Sequence, residues 1–166
     1  MSKGLKWTII GVIIIAVLGG IAFFGYEFFK YKQDVKVPEV KKSAEQIVEE
    51  NKSEINKVDK EKIKVTSKTD IYDIFHRMSN TLIVAEDGLI YGEIPINDES
   101  ISQAMAMVNS TDLIDKSEKE VFLNILDAWK HKDFSNGVQA HNYAWKRLNG
   151  QIGRAKELRE QYKTKK

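Results

Sequence analysis

The chain has 166 residues, 26 Lys and Arg against 24 Asp and Glu, and no cysteine. That length suits one modest domain with an appendage. The missing cysteine excludes a disulfide framework, a thiolate metal site, a cysteine nucleophile and a lipidated cysteine. A net charge of +2 gives no global case for nucleic acid.

Residues 1–6 form a short basic tail carrying Lys3 and Lys6. From Trp7 to Tyr26 there is no charged residue. A helix rising about 1.5 Å per residue covers roughly 30 Å over such a run, the thickness of a bilayer core. The run is apolar on every side, and a chain this short has no large core to bury it in. Trp7, Tyr26 and Tyr31 stand where interfacial aromatics anchor a span. The reading is a single-pass transmembrane helix over residues 7–29 at the cell membrane. The rival is a cleaved signal peptide with Gly20-Ile21-Ala22 as the cleavage site. Phe23-Phe24-Gly25-Tyr26 prolongs the apolar run past that site and favours retention. A short basic head before a span has the form of a signal anchor, which places the C-terminal domain outside the cytoplasm. The lysine count alone points the other way, because Lys30, Lys32, Lys36, Lys41 and Lys42 follow the run.

Residues 30–66 read as a charged stalk. Fourteen of the residues from 36 to 62 are charged, too many for a core of their own. Ser43-x-x-Gln46 has the form of a capping box. Behind it Ala44, Val48, Asn51, Ile55 and Val58 follow a 4-3-4-3 spacing, either a solvated helical stalk or a short parallel coiled coil with Asn51 setting register. With Ala16-x-x-x-Gly20 in the span, this allows a weak homodimer through span and stalk.

Residues 67–166 read as a bundle of about five helices, which makes the fold all-α. Ser67-x-x-Asp70 caps a helix with Ile71, Ile74, Phe75 and Met78 on one face, continued through Leu82 and Ala85 to Gly88. A strand through Leu82-Ile83-Val84, turning at Asp87-Gly88 into Leu89-Ile90-Tyr91, is the competing reading. Asn97 or Asp98 opens the next helix, with Ile101, Ala104, Met105 and Val108 inward. Asp115-x-x-Glu118 caps a third, carrying Phe122, Ile125, Leu126 and Trp129. Asp133 or Ser135 caps a fourth, with Phe134, Val138, His141, Trp145 and Leu148 on one face and Asn149-Gly150 as its stop. A fifth carries Ile152, Ala155, Leu158 and Tyr162. Trp129, Trp145, Phe122, Phe134 and Phe75 are the expected core anchors.

His141 and Asn142 conflict with the apolar face they share with Trp145. They read as a satisfied structural network, as a ligand or partner pocket, or as a catalytic site with Asp133 as the carboxylate. His76, His131 and His141 lack metal spacing, and no metalloprotease, phosphate-loop, esterase or EF-hand motif occurs. No cofactor and no metal site are expected. Charge is sorted along the domain: residues 67–129 hold 4 basic and 12 acidic residues, residues 130–166 hold 10 basic and 3 acidic. Arg154, Lys156 and Arg159 in the basic tail are therefore candidates for an anionic counterpart. The expected partners are the lipid bilayer through residues 7–29 and a protein or an anionic envelope polymer at the domain. Nucleic acid is not expected.

Asp133-Phe134-Ser135, Val138, His141-Asn142, Trp145 and Gly150-x-Ile152-Gly153-x-Ala155, with Met78 and Trp129 upstream, form one pattern. It resembles an uncharacterised family of Gram-positive bacterial proteins that pair one N-terminal membrane helix with a small helical domain. The resemblance covers roughly residues 69–158 and carries no established activity. Ala140 stands where that pattern often has an acidic residue, which weakens a catalytic role for His141. The resulting reading is a membrane-anchored interaction or cell-envelope module displayed on a stalk. The alternative is a membrane-tethered enzyme or ligand-binding domain with a pocket near His141 and Asp133.

Overall fold

The computed structural model describes residues 35–59 and 64–163. Among them six α-helices and one small sheet follow in order: α1 (Ala44–Glu50), α2 (Lys52–Ile55), α3 (Lys68–Asn80), β1 (Ile83–Ala85), α4 (Asp98–Ser110), α5 (Lys116–Lys130), α6 (Gly137–Arg147) and β2 (Ala155–Leu158). A 3-10 turn over Glu160–Tyr162 closes the series.

The helix starts follow the sequence closely. Ser67 accepts from the Asp70 amide while Asp70 reaches back to the Ser67 amide, a full capping box. Asn97 and Ser100 do the same for α4. Asp115 caps α5 through the Glu118 amide. The start of α6 differs. Its N-cap is Asn136, which makes no side-chain cap, and Asp133 instead holds the Ser135 amide at 3.0 Å in the preceding loop.

The core lies where α3, α5 and α6 meet. Phe75 stacks on Phe122 at 4.0 Å between ring centroids, and Tyr143 meets Phe122 edge-on at 5.7 Å. Trp129, Phe75, Phe122 and Trp145 are all buried. Phe134 is only half-buried, against the ring of Tyr162.

Other expectations change. The fold is not all-α: β1 and β2 form an antiparallel pair, Ile83 opposite Leu158 and Val84 opposite Glu157, with an irregularity before Ala85. α3 stops at Asn80, and Ile83-Val84-Ala85 is a strand, as the competing reading had it. Its partner is residues 155–158, and residues 89–91 form no strand. The expected fifth helix is therefore β2 and a 3-10 turn. The pairing with β1 and the two bonds from the Asn142 side chain to Ala155 hold this segment extended, and the left-handed Gly153 (φ 78°) lies outside any helix.

The charged stalk changes as well. Residues 43–58 do not stand free but lie on the domain, α1 against α5 and α2 against α4. Ile47, Asn51 and Ile55 are buried there, so two residues of the supposed coiled-coil seam face their own chain. The expected transmembrane helix lies outside the described residues. Among the described residues no helix is long and apolar enough to cross a membrane.

Candidate functional site

The polar residues that the sequence placed on an apolar face gather at the junction of α3, α6 and the sheet. His141 is completely buried in α6. Its Nε2 lies 3.0 Å from Asn80 Oδ1 at the end of α3, and its Nδ1 lies 3.1 Å from Asn142 Oδ1. Both amides are held in orientation by their other bonds. Asn80 Nδ2 donates to the carbonyls of Tyr91 and Gly92 at 3.2 and 2.8 Å. Asn142 Nδ2 donates to the Ala155 carbonyl at 3.0 Å, and Asn142 Oδ1 accepts from the Ala155 amide at 2.9 Å. The Asn142 side chain thus makes the two bonds that a neighbouring peptide group would make.

A neutral imidazole carries one N–H, yet both ring nitrogens of His141 face acceptor oxygens. One of the two contacts is a hydrogen bond at a time. The pair of acceptors favours protonation, but burial opposes it more strongly. Burial, and then the neighbouring His76, push His141 down to about 4. The His76 ring lies 4.6 Å from the His141 ring, centroid to centroid, and burial also lowers His76.

The rest of the C-terminal pattern closes around this network. Trp145 Nε1 donates to the Ile152 carbonyl at 2.7 Å. Gly150 lies flat against the indole, where a Cβ would come within 2.2 Å of Trp145 Nε1. Gly153, with its positive φ, donates its amide to Asp87 Oδ2 at 2.7 Å. That bond, with another from the Leu89 amide, holds the Asp87 carboxyl below the usual carboxylate range. Trp145 is thus matched with Gly150 and Ile152, Gly153 with Asp87, and Asn142 with Ala155.

The basic candidates divide. Arg159 Nε donates to the Ile83 carbonyl and its Nη2 to the Asn80 carbonyl, both at 3.0 Å, while the same nitrogen pairs with Glu93. Arg154 faces Glu86 at 3.9 Å. Lys156 is exposed on β2. Lys163 pairs with Glu157 and Glu160, Lys132 with Asp98, and Arg147 with Glu118. Among the described residues of the basic tail, Arg154, Arg159 and Lys163 thus face carboxylates of their own domain.

Asp133 does not join His141. Its carboxylate turns into the α5–α6 loop, and the Ser135 bonds hold it below the usual range. The structure brings together His141, Asn142 and, through Asn80, Arg159; Asp133 is elsewhere. Among the described residues the hydrogen-bonding partners of the His141 ring are two amide oxygens, which neither supply a carboxylate to orient it nor present a nucleophile for it to activate. Among the described residues no group of three or more His, Asp or Glu is placed to hold a metal ion.

Sequence reasoning missed two organising residues. Asn80 gave no signal, because its partners are carbonyls eleven and twelve residues on. Glu118 was read as half of a capping box. It instead accepts from Tyr72 Oη at 2.7 Å and Arg147 Nε at 3.0 Å, joining α3, α5 and α6. Tyr72 is pushed up to about 12, first by burial and then by Glu118. The Arg147 guanidinium also lies 3.5 Å above the Tyr143 ring.

The chain belongs to a family of unknown function, DUF6241, whose model matches residues 75–166. No curated protein and no solved structure matches it. The match opens inside α3 and runs through the sheet, so it contains the whole Asn80–His141–Asn142–Arg159 network and omits α1 and α2.

Proposed function

We propose that this chain is a non-catalytic interaction module held at the cell membrane by its N-terminal region, with the C-terminal domain outside the cytoplasm. The observation that carries the reading is that His141 and Asn142 are internal and in contact with each other, while Asp133 lies apart from them. His141 is fully buried between two asparagines. Localisation rests on the uncharged run from Trp7 to Tyr26 and its basic head.

A protein partner fits better than an anionic envelope polymer. The basic residues that would hold a polymer are largely paired with carboxylates of the same domain. The exposed large apolar residues include Val84, Leu89, Tyr91 and Ile152, in and around the sheet. Leu89 and Ile152 flank the Asp87–Gly153 contact and so lie on one side of the domain. Apolar side chains set among neutralised charges suit a protein surface rather than a polyanion.

The test is a photo-crosslinking amino acid at Tyr91 in living cells, with Lys132 as the control position, beside a topology reporter after Lys166. A discrete protein adduct from Tyr91 alone, with the reporter active outside the cytoplasm, is expected. A soluble chain without adducts, or hydrolytic or transferase activity that is abolished in His141→Gln, rejects the reading.

A further inference from the structure

Residues 41–58 are joined to the domain in an unusual way. One side chain, Asn124 of α5, clasps the entering backbone: its Oδ1 accepts from the Lys41 and Lys42 amides at 2.8 and 3.0 Å, and its Nδ2 donates to the Lys42 carbonyl at 2.8 Å. Beyond that clasp the attachments are charged. Lys42 meets Asp127 at 3.0 Å, Lys116 meets Glu45 at 3.0 Å, and Lys130 meets Glu54 and Asn51. Apolar seating comes chiefly from Ile47 and Ile55, both buried.

The rest of the segment is poorly suited to hold itself. α1 has seven residues and α2 has four, lengths at which an isolated helix does not persist in water. Open clefts run along both sides. One lies between α1 and the α4–α5 turn, beside Val48 and Ile114; the other lies between α2 and the start of α4, beside Val58 and Ser102. The segment also lies outside the part of the chain that matches the family.

We infer that residues 41–58 are a releasable strap, and that the α4–α5 groove beneath it is a helix-docking site whose resident occupant is this chain's own segment. The strap opens as a unit, because its helices exist only when docked. Its partly exposed charge pairs make the closed state weaken with salt. This inference does not depend on what the sheet side of the domain binds.

The test uses the full-length chain in mild detergent. Hydrogen exchange by mass spectrometry at low and at roughly 0.5 M salt reads the opening. Amides of residues 43–58 should exchange together, about a hundredfold faster than those of α3 and α6, and several-fold faster again in high salt, with α3 and α6 unchanged. The chain has no cysteine, so E45C/K116C provides a clean pair for a short bismaleimide crosslinker, which should suppress that exchange. A labelled synthetic peptide of residues 41–58 then probes the groove. It should bind the I47D/I55D chain, whose own strap is displaced, and not the crosslinked chain. Exchange of 43–58 at the rate of α3 and α6 overturns the inference. So does loss of α3 and α6 protection in I47D/I55D, since the segment is then an inseparable part of the core. A folded I47D/I55D chain that fails to bind the peptide overturns the docking site.

Discussion

The N-terminal strap and the C-terminal motif region are both short of apolar residues, yet they hold in opposite ways. Between Asn136 and Arg159 polar side chains bond to backbone inside the fold, Asn142 to Ala155, Trp145 to Ile152 and Arg159 to Ile83, and the Asn136 side chain accepts from the Trp129 indole. Between Lys41 and Ile55 the bonds are mostly charge pairs at the surface, with one asparagine clasp. Internal bonds to buried backbone are costly to break because the group left behind is not rehydrated. Surface pairs between exposed side chains contribute little. The two regions should therefore differ in stability by more than their hydrophobicity suggests.

Trp145→Ala should break the comparison at its strong end. It removes a buried indole, its bond to the Ile152 carbonyl and the wall against which Gly150 lies. A loss of roughly 3–5 kcal/mol in denaturant unfolding is expected. Wild-type stability in this variant would mean that the C-terminal turn does not depend on the indole.

Asn142→Ala comes next. It leaves the amide and the carbonyl of Ala155 without partners and should cost roughly 2–4 kcal/mol. His141→Ala should cost roughly 1–3 kcal/mol. The double variant should lose clearly less than the sum of the two, because both act on one network. Strict additivity would show that the two side chains do not cooperate.

Acid sharpens the same contrast. Folded His141 titrates at about 4 and an unfolded histidine near 6.5, so the unfolded chain binds the extra proton first. The stability held by the neutral ring is complete above about pH 6.5 and is lost as the pH falls toward 4, by up to roughly 3 kcal/mol. His76, lowered in the same direction, adds to that slope. Unfolding of wild type beside His141→Gln across this window should show the steeper decline in wild type. Parallel curves would remove His141 as its source.

The smallest effect should come from the strap. Asn124→Ala should cost roughly 1–2 kcal/mol. Its loss should be read locally, as faster exchange over residues 43–58, with unfolding of the rest little changed. Lys116→Ala should shift only the salt dependence of that exchange. A global loss as large as that of Trp145→Ala would erase the distinction between the two regions.

Legibility followed the range of the interaction. The starts of α3, α4 and α5 were readable because an N-cap side chain bonds the amide only three residues on. The expectation of an uncharacterised family agrees with the family match over residues 75–166. β2 was not readable, because Ala155 and Leu158 stand three apart and fit a helix as well as a strand. What decides there is the Asn142 amide thirteen residues upstream and the pairing with β1 more than seventy residues upstream. The strap was hidden by its own charge. Ile47, the residue that seats α1, falls off the 4-3-4-3 stripe. At the candidate site, burial of His141 and Asn142 followed from helical periodicity, whereas Asn80 and Arg159 arrive from distant segments.

The small sheet has one further property. Leu82 offers its carbonyl to Arg159 of the β2 segment, so by alternation the next carbonyl, that of Ile83, points away from β2. The Arg159 side chain occupies it, and the Gly88 amide occupies the Ala85 carbonyl on the same side. On β2, the Asn142 amide occupies both polar groups of Ala155. An unpaired rim on a two-stranded sheet is a template for another chain to add to, and here the Arg159 and Asn142 side chains and the Gly88 amide occupy these groups. The arginine and the asparagine that secure the fold also guard against edge-to-edge aggregation, so Asn142→Ala should cost solubility as well as stability.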